Sequence, residues 1–215
     1  MSMTTLITLR FVSIFAAYTG LTVLLPAIMF RRILAGRRLS EQFLMCYTFG
    51  NFYIINIVFA VQLLHISGFW TLVLFTAVPG ILIWSRVNRV SLRELCMKTG
   101  IVCKKILQGS MGIKGFLYRV KNRGMAVLKK AVWLFYCEVV CNTLQWILAG
   151  AVIAALFWIY GRQLILTYGY RASDIPVHLN WINQMSRGNL FASGVYPFGF
   201  HCMVYYLHAV FGFDT

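Results

Sequence analysis

Residues 11–30 read FVSIFAAYTGLTVLLPAIMF, twenty positions without a charge. At ~1.5 Å rise per residue a helix of that length matches a hydrocarbon core of ~30 Å, so this stretch predicts a membrane span. The rest of the chain repeats the pattern. Residues 43–66 form a second apolar run and residues 69–84 a third, separated by the tight Ser67-Gly68 corner of a helical hairpin. The third run is short and carries Pro79-Gly80, which predicts a kinked, tilted or partly re-entrant helix. Residues 131–160 make a fourth block, interrupted by Glu138 alone. With 60% hydrophobic residues gathered into blocks, the expected fold class is all-α: a polytopic integral membrane protein of about four transmembrane helices.

A net charge of +15 raises the question of nucleic acid, but its placement argues against it. Arg31, Arg32, Arg37 and Arg38 lie between the first two spans, and twelve further Lys and Arg lie in residues 85–130; together they are sixteen of the twenty basic residues. Four spans put both loops on one side, and the positive-inside rule makes that side cytoplasmic. The N-terminus and everything after residue 160 are then extracytoplasmic, with the chain in the plasma membrane. The partners expected from charge are membrane lipids, not nucleic acid. Arg10 alone precedes the first apolar run and Arg31-Arg32 follow it, so this span is expected to be retained rather than cleaved. Six cysteines without a C-x-x-C pair indicate neither a disulfide framework nor a zinc site.

These features divide the chain into a three-span region (1–84), a basic cytoplasmic segment (85–130), the fourth span (131–161), an outer loop (162–197) and the start of a fifth span (198–215). In the basic segment Leu92, Leu95, Cys96, Thr99, Val102, Cys103 and Ile106 recur at helical spacing with Arg93, Lys104 and Lys105 off the stripe, as in an amphipathic helix lying on the inner leaflet. Gly109, Gly112, Gly115 and Gly124 are expected to break the remainder into flexible turns. "GSMGIKG" lacks the spacing of a phosphate loop.

In the outer loop Ser173 or Asp174 can cap a helix with Pro176 in its first turn, predicting an interfacial helix over residues 175–187. On a wheel, Asn180, Asn183, Gln184 and Arg187 gather on one side and Ile175, Leu179, Trp181, Ile182 and Met185 on the other, with Asp174 and His178 on the apolar side. Capping alone explains an Asp in that place. Gly188 then ends the helix and Pro197 opens the next, where His201, Tyr205 and His208 share a stripe.

An Asp opening an interfacial helix, a His four residues on, and "YPFGFH" (residues 196–201) leading into the next helix resemble the first extracytoplasmic loop of the GT-C glycosyltransferase superfamily. The likeness covers about residues 131–215. It implies that Asp174 is the essential acid and that Tyr196, Pro197, Gly199 and His201 form the entry to the second core span. By the same resemblance the substrate is a polyprenyl-phosphate-linked sugar, Asp174 and His178 are catalytic, and Tyr196 and His201 are substrate-binding. One acid stands where several branches carry two, so no metal ligands are assigned and the cofactor stays open, a divalent metal near the phosphate being the alternative role for Asp174. Family members have many more spans, so the chain is expected to be the N-terminal part of a larger transferase, inactive alone. Competing readings are a non-catalytic scaffold that uses the basic segment to hold lipid or a partner, and a transporter whose path is lined by Asn51, Asn56 and Gln62. Those three residues serve equally well as glue between helices.

Overall fold

The computed structural model describes residues 3–109, 112–156, 158–159, 175–191 and 199–213. Helix dominates them, and no strand occurs among the described residues. The chain forms two compact units, residues 1–89 with 172–215, and residues 90–171.

The first unit begins with α1 (Met3–Thr19), which runs through a π-helical turn (Gly20–Leu24) into α2 (Leu25–Met29) and the short α3 (Arg31–Leu34). The π turn has a local cause. Pro26 has no N–H to give to the carbonyl four residues back, and the Leu25 N–H reaches past it to Gly20. Helix α4 (Leu39–Leu63) crosses this turn. Its buried positions, Cys46, Gly50, Tyr53, Ile54, Ile57, Val58, Val61 and Gln62, follow the three-and-four spacing of one helical face. Gly50 is where the two backbones meet: a Cβ there would lie 2.3 Å from the Thr22 carbonyl oxygen, so only a hydrogen fits.

Helix α5 (Phe69–Asn88) follows the hairpin turn and is continuous through Pro79. The proline removes one donor from the ladder, and in the same turn the Thr76 carbonyl accepts the Tyr53 hydroxyl at 2.7 Å. At the other end Asn88 ties the first and third spans together, donating to the Met29 carbonyl and accepting from the Arg32 N–H. The unit is completed by α9 (Ile175–Ser186) and α10 (Gly199–Phe211), whose Met185, Cys202, Met203, Tyr205 and Tyr206 join the core built around Ile54, Val58, Val61 and Leu72. The segment after the outer loop therefore packs with the first three spans rather than apart from them.

Three helical stretches, Thr8–Met29, Leu39–Leu63 and Phe69–Asn88, are long and apolar enough to cross a membrane. Their outward faces carry Phe11, Leu44, Phe52 and Trp70, all largely exposed. Such faces suit lipid, because tails solvate them as well as protein does. This is a membrane protein.

The second unit holds α6 (Leu92–Leu107), α7 (Ile113–Cys141) and α8 (Thr143–Leu156). Two expectations are corrected here. Gly115 and Gly124 do not break the basic segment, since both lie inside the continuous α7. Helix propensity costs of ~1 kcal/mol per glycine are too small to stop a helix of this length. The expected uninterrupted span over residues 131–160 is broken at Asn142, where α7 and α8 meet at 96°. Asn142 has left the helical region (φ −125°, ψ 37°), and its amide donates to the Glu138 carbonyl at 3.2 Å, while the Thr143 hydroxyl donates to Val139 and Val140 carbonyls. Short polar side chains that bond back to the preceding turn compete with the backbone ladder and bend helices. Among the described residues the membrane count is thus three helices, or four when the bent pair is taken as one span.

Candidate functional site

The outer-loop residues are positioned by α9 and α10. Asp174 directly precedes Ile175, the first residue of α9, and Pro176 occupies its first turn, where a missing N–H costs nothing. The helix ends at Gly188, whose φ of +79° only glycine adopts without strain, with Gly188 N–H donating to Met185 and Asn189 N–H to Gln184. Along α9 the buried side is His178, Trp181, Ile182 and Met185, at the three-and-four spacing expected from the wheel. Leu179 departs from it: it is 38% exposed.

Helix α10 carries His201 on its first turn, and the structure brings His201 and His178 together. His178 Nδ1 and His201 Nε2 are 2.9 Å apart, one donating and the other accepting. His201 is 2% exposed and His178 half-buried. Trp181 and Phe200 stand edge-on around the pair, with ring centroids 5.3–6.3 Å from the two imidazoles. Of the residues nominated from the sequence, then, His178 and His201 are neighbours, while Asp174 and Tyr196 lie outside the described residues, as does Pro197. Among the described residues no three His, Cys, Asp or Glu side chains gather as a metal site. His208 is turned to a different task, its Nδ1 lying 2.7 Å from the Phe213 carbonyl oxygen.

A polar layer beneath the pair fixes α9 and α10 on the hairpin. Gln62, fully buried, donates to the Met185 carbonyl at 2.9 Å and to the Ser67 hydroxyl at 3.1 Å. The Ser67 hydroxyl is 2.7 Å from that of Tyr205, and the Thr76 hydroxyl 2.9 Å from that of Tyr206. Of the three polar residues that could line a path, Gln62 thus joins elements 123 positions apart. Asn51 receives the Tyr18 hydroxyl, and exposed Asn56 donates to its own helix at Phe52. The glue reading fits Gln62 and Asn51. The sequence reading placed Trp181 on the His178 side of the wheel and Ser67 at the hairpin corner, and it missed Thr76 and Phe200. A hydroxyl in the middle of an apolar run was the available signal at Thr76.

The arrangement can hold an imidazole in one orientation. An imidazole bonded through one nitrogen keeps a defined tautomer at the other, which is how histidines are set up to position or exchange a proton. No family model, curated protein or solved structure matches this chain.

Proposed function

We propose that this chain is the N-terminal part of a membrane glycosyltransferase that moves a sugar from a polyprenyl-phosphate carrier to an acceptor outside the cytoplasmic membrane. The observation that carries the reading is the 2.9 Å contact between His178 and His201. The same motif nominated both residues, 23 positions apart, and they meet where α9 and α10 pack, His178 standing four residues after Asp174 in the sequence.

In this reading Asp174 takes the proton from the acceptor hydroxyl as that oxygen attacks the anomeric carbon. The bond from that carbon to the carrier phosphate breaks, and polyprenyl phosphate leaves with the electron pair. His178 orients the carboxylate or the acceptor, and Tyr196 contacts the substrate, while buried His201 serves the site by holding His178 rather than by the substrate contact the resemblance implies. The basic loops face the cytoplasm, so the loop bearing Asp174 faces outward, where such carriers present their sugar.

Asp174→Asn in the full-length protein is the test, because Asn caps a helix about as well as Asp but takes no proton. Expression and stability should stay within about 0.5 kcal/mol of the parent, the spread of a benign surface change. Sugar transfer should fall ~10²-fold or more, the scale of a lost general base. Transfer at the parental rate would reduce Asp174 to a cap and remove the reading.

A further inference from the structure

Helices α6 and α7 share a pattern in the second unit. Along α6, Cys96, Val102, Cys103, Ile106 and Leu107 fall on one arc at helical spacing, with Arg93 and Lys104 along one border and Lys105 beyond the other. The first half of α7 repeats it. Leu117, Val120, Val127 and Leu128 form the arc, Lys114 and Lys121 run along one border, and Arg123 and Lys130 along the other. Gly115 and Gly124 interrupt neither, because the helix is continuous there. Within its unit α6 has no extended packing against α7 or α8, and Leu107, Leu117, Val127 and Leu128 are all more than half exposed.

We propose that α6 and the first half of α7 are two in-plane helices that bind an anionic lipid surface, arcs down into the acyl boundary and basic borders against the headgroups. Two features select lipid over a soluble polyanion. An apolar arc between two basic borders needs a partner that is apolar beneath and anionic at the rim, as a leaflet is; nucleic acid offers charge without the apolar layer. The charge fits as well: residues 85–130 hold twelve Lys and Arg against Glu94 alone. The 96° turn at Asn142 then serves a purpose, since α7 can lie in the interface while the apolar α8 leaves its plane.

Cys96 and Cys103 are built-in reporters, because both lie on the α6 arc and both are exposed in the protein alone. The full chain is reconstituted in nanodiscs of neutral phosphatidylcholine, and in discs rich in anionic phosphatidylglycerol. An uncharged water-soluble maleimide is added, and its rate at each cysteine is read by mass spectrometry, with Gln108→Cys as a thiol on the opposite face. Anionic discs should slow Cys96 and Cys103 about tenfold, the effect of one or two lysines held at a charged surface, and leave position 108 unchanged. The double variant Lys104→Glu, Lys105→Glu should lose most of that protection. Equal rates at Cys96 and Cys103 in the two lipids would overturn the proposal, as would protection of position 108 to the same degree, which points to an enveloping protein partner. The lipid comparison uses the parent chain, so it stands even where a variant fails to fold.

Discussion

Gly50→Ala tests the tightest contact of the membrane unit. In an ordinary helix interior, Ala is favoured over Gly by about 1 kcal/mol, so the change should stabilise α4. Here the added Cβ would sit 2.3, 2.5 and 2.7 Å from the Thr22 carbonyl oxygen, Cα and carbonyl carbon. Contacts of that kind relax only beyond ~3.5 Å, and all three atoms are backbone, so no side-chain rotation relieves them. The π turn must move about 1 Å off α4, with overpacking of ~1–3 kcal/mol or more. With three backbone contacts the clash falls in the upper part of that range and outweighs the propensity gain, so a net loss of ~1–2 kcal/mol is expected, or roughly 2–8 °C in Tm for a chain of this size. Gly20→Ala is the control, since a Cβ there meets nothing within 4 Å. In detergent, alkylation of the buried Cys46 and Cys202 during a thermal ramp reports the unfolding of this unit. If Gly50→Ala melts with or above the parent, and in step with Gly20→Ala, the close approach of α4 to the π turn is wrong.

Thr76→Val keeps the shape but strands the Tyr206 hydroxyl in a buried site, and should lower stability by about 1–3 kcal/mol, whereas the double change with Tyr206→Phe should recover part of it in the same melting assay. Asn142→Ala should let α7 and α8 join into one helix; spin labels at Val132 and Val152, each ten residues from the bend, should move from ~20 Å to ~30 Å apart by backbone geometry, and an unchanged distance would show that Asn142 does not set the 96° turn. Sidedness is best read at exposed Asn183→Cys, because Cys202 is 0% exposed and would resist labelling on either side. An impermeant maleimide should reach position 183 in intact cells and spare Cys103, and the reverse would invert the topology and the proposed outer site with it.

Much of this architecture is legible in the sequence because membrane burial is a one-dimensional code. A run such as residues 11–30 has to be helical in hydrocarbon, since each backbone N–H and carbonyl must find its partner within the segment. The end of α9 at Gly188 and its His178–Trp181–Ile182–Met185 face were likewise written in short-range signals, a helix-ending glycine and the helical period. Tertiary structure decided what those signals do not encode. Apolar runs look alike whether straight or bent, so the 96° turn at Asn142 emerged only with the bonds from Asn142 and Thr143 to the turn before them. Nothing local says that Gly50 of α4 meets the π turn at Thr22, or that Gln62 reaches Met185, because both are pairings between segments distant in the chain. The candidate site divides the same way. The motif named His178 and His201 one at a time, and the packing of α9 and α10 on the α4–α5 hairpin set their rings 2.9 Å apart.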